Sequence, residues 1–296
     1  MLKEKAIKKL FLTTLTIFII ITLFTIPNSN KPKVLRTNLE IEDISSLNTE
    51  TIYLLNKKNY LVKVDVFMNN VSLIEKIKQI IEYLTIDNNK VPIGLNGYIP
   101  KETNLIDYQL EDNTVVLNFS KELLNTDQEE LMITGIVYSL LEQDKIKKVS
   151  IKVENTPMKE YQLLDKRIGI NKDYVFSSKK NLQKIVLYYM DDTNTYYVPV
   201  TKYLNDNREK VEIIIEELKN TKNNLISLEN IHTELLNYKE EGNSFMINMN
   251  QYLLDDNEDS QNKLLNTIAY SIFDNYDVNT VLFECNNKKI KQINRK

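Results

Sequence analysis

The stretch Ile133-Thr134-Gly135-Ile136-Val137-Tyr138-Ser139-Leu140-Leu141 returns later in the chain as Leu265-Asn266-Thr267-Ile268-Ala269-Tyr270-Ser271-Ile272-Phe273. Its apolar positions Ile133, Ile136, Val137, Leu140 and Leu141 map at an offset of 132 onto Leu265, Ile268, Ala269, Ile272 and Phe273. The spacing is helical in both, so one buried helical face is written twice. A duplicated unit sets the architecture before any site is considered.

The match extends on both sides of this helix. After it, Val149, Ile151 and Val153 alternate as a closing strand and correspond to Val281, Phe283 and Cys285. Before it, Val115, Leu117 and Phe119 correspond at an offset of 130 to Phe245, Ile247 and Met249, each trio following a turn, Asp112-Asn113 or Gly242-Asn243. Further upstream the helical stripe Ile77, Ile80, Ile81, Leu84 recurs as Val211, Ile214, Ile215, Leu218. Two hairpins come first, Thr51–Leu55 with Tyr60–Val64 and Leu187–Asp191 with Tyr196–Val200, aligned at an offset of 136. Ser72 with Glu75 and Thr126 with Glu129 read as capping boxes.

Each unit therefore runs strand, strand, helix, strand or extended stretch, strand, helix, strand. The simplest burial solution is an α+β, two-layer sandwich, a mixed sheet with two helices on one face. The first module is expected over 51–156 and the second, more divergent, over 184–288, with a polar connector over 157–183 and a basic tail over 289–296.

At the N-terminus, Leu10 to Ile26 carries no charge and as a helix would span roughly 25 Å, enough for a slightly thinned bilayer. Lys3, Lys5, Lys8 and Lys9 precede it, so residues 1–9 are expected in the cytoplasm and the bulk of the chain outside the cell membrane. The run is long for a signal peptide, and Thr25-Ile26-Pro27 lacks small residues for cleavage. A single-pass signal anchor over 10–27 is expected, followed by a solvated stalk over 28–50.

The composition excludes much chemistry. Of 296 residues, 38 are basic and 41 acidic, a formal charge of -3 that gives no footprint for nucleic acid. Only five glycines occur, and neither a P-loop nor a dinucleotide fingerprint is present. Cys285 is the only cysteine and His232 the only histidine, which removes an intrachain disulfide, a Cys/His zinc site and any mechanism needing two imidazoles. No cofactor or metal is expected.

The first unit resembles the GerMN domain of bacterial sporulation and germination proteins. The residues that carry the likeness are Gly94-Leu95, Ile99-Pro100, Asn118-Phe119-Ser120 in the strand beginning at Val116, and Ile136-Val137-Tyr138-Ser139-Leu140 leading to Val149-Ser150-Ile151. The second unit keeps Asn248-Met249-Asn250 and Ala269-Tyr270-Ser271-Ile272 but lacks the Gly-Leu and Ile-Pro pairs. The resemblance implies a fold similar to ring-building domains. It also implies a non-enzymatic envelope protein that helps assemble a complex between mother cell and forespore. Lipoproteins of this kind are attached through a cysteine, which this chain lacks near its apolar run.

Several residue groups invite other readings. Cys285 and His232 are a nucleophile and base on paper, but Cys285 falls on the core side of its strand. Asp255-Asp256-Asn257-Glu258-Asp259 lacks calcium-loop spacing and suits the start of a helix. Asp191-Asp192, Glu216-Glu217 and Glu240-Glu241 are paired carboxylates whose adjacent side chains diverge. Tyr188, Tyr189, Tyr196 and Tyr197 crowd one hairpin, where alternation places one of each pair outside as an anchor for a partner or for self-association. A scaffold acting on envelope proteins is the leading expectation, with cell-wall polymer binding as the alternative and a wall-modifying enzyme third.

Overall fold

The computed structural model describes residues 9, 13–15, 47–173, 182–220, 224–226, 232–254 and 257–295. The chain divides into Met1–Ser45 and Ser46–Lys296. In the first part Lys9 and Thr13 to Leu15 are helical; the rest of the expected anchor and nearly all of the stalk lie outside the described residues. Among the described residues no helix is long and apolar enough to cross a membrane.

The second part opens with strand β1 (Leu47–Asn56), so the first module's leading strand starts before residue 51. It continues with β2 (Leu61–Asn69), helix α1 (Leu73–Tyr83), β3 (Leu95–Asn96), β4 (Leu105–Glu111), β5 (Thr114–Phe119), α2 (Glu129–Leu141), β6 (Lys148–Val153) and β7 (Thr156–Pro157). The second module repeats the order as β8 (Gln183–Asp191), β9 (Tyr197–Leu204), α3 (Lys210–Leu218), β10 (Leu225–Ile226), β11 (Leu235–Glu241), β12 (Ser244–Met249), α4 (Glu258–Asn275), β13 (Thr280–Cys285) and β14 (Lys288–Asn294). The class is α+β, as the periodicities require, and β4 and β11 show the extended stretches to be strands.

The sheets are not arranged as one per module. The leading hairpins join edge to edge in a six-stranded sheet ordered β10-β8-β9-β2-β1-β3, and each module keeps a separate four-stranded sheet, β4-β5-β6-β7 or β11-β12-β13-β14. In both, the central pair is parallel, β5 with β6 and β12 with β13, bridged by the long helix. Helix α2 thus lies between β1 and β6, and α4 between β8 and β13.

That placement corrects the single-stripe expectation. Met132 to Leu140 are buried on every side because α2 has a sheet on two faces, whereas Leu141 is half-exposed. The stripe Ile77, Ile80, Ile81, Leu84 and its counterpart Val211, Ile214, Ile215, Leu218 are buried as expected. Ser72 and Glu75 form a reciprocal capping box. Thr126 and Glu129 do not: α2 starts at Glu129 itself, and Thr126 Oγ1 accepts from the Gln128 N–H, 3.1 Å away, as a turn before the helix.

One further expectation changes. The basic tail is strand β14, set up by a turn in which Asn286 and Asn287 have φ of 49° and 65°. Paired asparagines in the left-handed region form the tight hairpin that joins it to β13. The connector packs against the modules: Leu164 bridges β6 at Val149, Asp173 bridges β9 at Lys202, and Ile170 is fully buried. Residues 174–181 of it lie outside the description.

Candidate functional site

The seam between the modules gathers the chemistry of the chain. β2 and β9 meet through a single backbone pair, Lys63 with Tyr197. Asn171 of the connector then staples the two strands: its Oδ1 accepts from the Leu61 N–H at 3.0 Å, and its Nδ2 donates to the carbonyls of Leu61 and Pro199 at 2.8 and 2.7 Å. Pro199 has no N–H to offer a neighbouring strand, so this side-chain bridge replaces a ladder bond.

Deeper in, each module contributes a strand tyrosine, a helix tyrosine and a helix-end carboxylate. Tyr53 packs edge-on to Tyr138 with centroids 5.5 Å apart, and Tyr188 lies 5.5 Å from Tyr270. The Tyr53 hydroxyl donates to Glu142 at 3.2 Å, the Tyr188 hydroxyl to Asp274 at 2.7 Å, and the two hydroxyl oxygens are 3.3 Å apart. Lys166 Nζ, from the connector, donates to both carboxylates at 3.1 Å, and Lys63 Nζ donates to Glu142 at 3.2 Å. Lys63 also sits 4.9 Å over the Tyr270 ring, a cation–π contact across the seam.

The electrostatics follow from burial opposed by charge. Burial by itself would push the Glu142 carboxyl up, but Lys166 and Lys63 override it and hold the group at about 2. Burial would likewise lower the Lys166 ammonium, and Asp274 and Glu142 reverse that and raise it. The Tyr53 and Tyr188 hydroxyls are pushed well up by burial and further by the carboxylates, so they stay neutral donors.

Backbone geometry explains why these positions recur. β1 pairs with β3 only at Leu55 and Asn56, and β8 with β10 only at Met190 and Asp191, so among the described residues the outer N–H groups of Tyr53 and Tyr188 have no strand beside them. Ser139 and Ser271 accept them, each at 2.9 Å, from the long helices. Tyr53 therefore corresponds to Tyr188, an offset of 135, one less than the residue alignment indicated. The second hairpin turn is one residue longer: Asn56 N–H donates to Tyr60 O, but Asp191 N–H to Tyr196 O.

That single residue decides the tyrosine hairpin, because a one-residue slip exchanges the faces of a strand. Tyr188 faces the seam at 1% exposure and Tyr189 is fully buried, its hydroxyl donating to Glu217 O at 3.2 Å. Tyr197 is half-buried, edge-on to Tyr270 at 5.0 Å, and its hydroxyl accepts from Asn266 Nδ2 at 3.1 Å; Tyr196 is half-buried against the core. The expectation of an outward anchor in each pair is corrected, since Tyr188 and Tyr197 join the modules of one chain.

The residues carrying the family likeness hold backbone and core. Gly94 has φ of 90° and opens β3, Leu95, Ile99 and Pro100 are buried, and the Ile99 N–H donates to Leu84 O at 2.9 Å. Asn118 Oδ1 accepts from the Asn155 N–H at 2.9 Å and fixes the turn into β7; Asn248 does the same for Asn287 before β14. Phe119 is core, and Ser120 Oγ accepts from the Asn104 N–H at 3.0 Å. Gly135 clears the way for Tyr98, whose ring atoms lie 2.3 Å from where a Cβ would stand and whose hydroxyl donates to Tyr53 O at 3.1 Å.

The remaining candidates separate. The buried Cys285 thiol donates to Asn250 O at 3.5 Å, while exposed His232 lies 5.5 Å from the Tyr252 ring. Asp191 organises its turn by accepting from the N–H groups of Thr195 and Tyr196, whereas Glu217 pairs with Lys202 and Glu241 with Lys239. Asp255 and Asp256 lie outside the description, and Asp259 pairs with Lys263. Among the described residues no cluster of three metal-ligating side chains occurs.

Residues 51–159 match the profile of the Germane family, described as sporulation and spore germination. The match falls on the first module. The tandem GerMN domains of the sporulation protein GerM from Bacillus subtilis superpose with a TM-score of 0.74 at 20% identity, over 85% of this chain and 98% of that one. At that identity the likeness establishes the fold of both modules together. The first GerMN domain of the same protein, matched over 40% of this chain and 98% of its own at 20% identity, gives a TM-score of 0.37. A search of curated proteins returns no match. The Germane match and the tandem GerMN fold thus bear out the resemblance read from Gly94-Leu95, Ile99-Pro100 and Asn118-Phe119-Ser120.

Proposed function

We propose that this tandem Germane protein is a non-enzymatic scaffold of the bacterial envelope, acting in sporulation or germination through protein contacts. Its N-terminal apolar segment holds it in the cell membrane with the two modules outside. The observation that carries this reading is the fused central sheet with its buried seam. A continuous sheet pinned by Asn171, Tyr53–Tyr188 and Lys166 holds two equivalent modules at one fixed spacing. Such a body suits the display of two surfaces to a larger assembly better than the enclosure of a substrate.

Cell-wall polymer binding is the second reading, and one observation favours it. Two adjoining open hollows of about 430 and 320 Å³ flank the connector, sharing Glu130 and Lys172 and bordered by Tyr161, Arg167 and Asn171. An aromatic face among hydrogen-bonding side chains is a surface on which a sugar chain could lie.

Two measurements separate the readings. Photo-crosslinkers at the exposed positions Phe67, Ile93 and Leu163 in sporulating cells are expected to capture discrete envelope proteins. Retention of the purified chain on cell-wall sacculi, together with no protein adduct at any of the three positions, would replace the scaffold by the polymer binder.

A further inference from the structure

The two four-stranded sheets end in edges of opposite charge. β4 reads Leu-Ile-Asp-Tyr-Gln-Leu-Glu, with Asp107 and Glu111 as its charged side chains, and β14 reads Lys-Lys-Ile-Lys-Gln-Ile-Asn, with Lys288, Lys289 and Lys291. Both have seven residues, and among the described residues no strand pairs with the outer side of either. Each carries an irregularity that leaves an apolar side chain outside: Ile106, 54% exposed, between Leu105 and Asp107, and Ile290, 37% exposed, between Lys289 and Lys291. In an antiparallel ladder alternate residues turn N–H and C=O outward, so both edges present backbone donors and acceptors.

Lysines on an edge ordinarily prevent strand addition. They do so by repelling a like edge and by costing desolvation beside a neutral one; opposite an acidic edge the sign reverses. β14 against β14 and β4 against β4 are both disfavoured, and β14 against β4 is attractive. The other edges of these two sheets are poorer acceptors. β7 has two residues, one of them Pro157 without an N–H, and β11 pairs Lys239 with Glu241 on its own strand.

We propose that β14 of one chain adds in antiparallel fashion to β4 of a second copy, Lys288 opposite Glu111 and Lys291 next to Asp107. The two edges lie on different modules, so the contact is heterologous and every added chain presents a fresh edge, giving head-to-tail chains. This goes beyond the scaffold reading and does not need it, because it is a property of the purified protein.

Sedimentation of the full chain in detergent, over a concentration series at low ionic strength, tests it. Mass is expected to rise in steps of one chain, with association at least tenfold weaker in about 0.5 M salt. Lys288→Gln/Lys289→Gln and Asp107→Asn/Glu111→Gln should each weaken it at least tenfold. Their equimolar mixture should form a complex of two chains and no larger, because only one complementary pair of edges remains. All four positions are exposed, and unchanged far-ultraviolet circular dichroism confirms the fold; should a double variant fail there, Lys288→Gln and Glu111→Gln are the variants compared. A wild-type chain that stays monomeric, variants that associate like it, or loss of association on Glu240→Lys/Glu241→Lys instead would overturn the proposal.

Discussion

Glu142→Gln is the most informative single change, because glutamine stands in for the protonated carboxyl without altering its shape. In the folded chain the Glu142 carboxyl is held down from 4.5 to about 2. At roughly 1.4 kcal/mol per pK unit, that difference corresponds to about 3 kcal/mol of folding free energy. The side chain is 15% exposed, so solvent takes little of this directly, but Lys166 is 38% exposed and screens its share. A loss of about 2 kcal/mol at neutral pH is therefore expected. A depressed carboxylate gives stability that is present above its unfolded pKa and lost as pH falls toward the folded one. Wild type and variant should thus differ fully above pH 4.5 and converge as the pH approaches about 2. Urea unfolding followed by tyrosine fluorescence measures this, since the chain has 17 tyrosines and no tryptophan. A difference below about 0.5 kcal/mol at neutral pH, or one of constant size down to acid, would refute the seam as a charge-stabilised joint.

Gly135→Ala places a Cβ 2.3 Å from the Tyr98 ring and displaces the hydroxyl from Tyr53 O; thermal unfolding should show a loss of about 2 kcal/mol despite alanine's better helix propensity. Asn118→Ala should cost about 1–2 kcal/mol by leaving the Asn155 N–H without its acceptor, and hydrogen exchange at that amide should quicken, with the same result at Asn287 for Asn248→Ala. Cys285, 6% exposed, should react with a thiol reagent at least tenfold more slowly in the native chain than in denaturant. A fast native reaction would show that β13 opens without global unfolding.

Sequence periodicity located the four α-helices described in the two modules, because residues such as Ile136 and Ile268 sit at positions where apolarity is the whole signal. It failed at β8 for an equally physical reason. Ile185, Val186, Leu187, Tyr188, Tyr189 and Met190 are all apolar or aromatic, and all are buried, so no alternation reveals which side faces where. An alignment by residue type then chose Tyr189 for Tyr53, and the extra turn residue stayed hidden until the Ser139 and Ser271 contacts fixed the register. β14 was missed because lysines dominate it, although Asn286-Asn287 was a readable hairpin signal.

The seam itself was beyond a local reading, since Lys166 and its partners Glu142 and Asp274 come from the connector and from the ends of two different helices. One sign of it was present. Glu142 and Asp274 stand at the same offset of 132 as the helical core, so an acidic residue recurs just past both buried faces. A charge repeated at a position where both copies are otherwise apolar needs a cation, and two such charges brought together by a shared sheet would repel unless one cation served both. The connector supplies that cation as Lys166. The two modules therefore depend on the segment between them, and Lys166→Met should harm the joint more than Lys63→Met, because it removes the ammonium paired with Asp274 and leaves Glu142 with Lys63 alone. Equal losses in urea unfolding of the two variants would show that the carboxylates act separately, each in its own module.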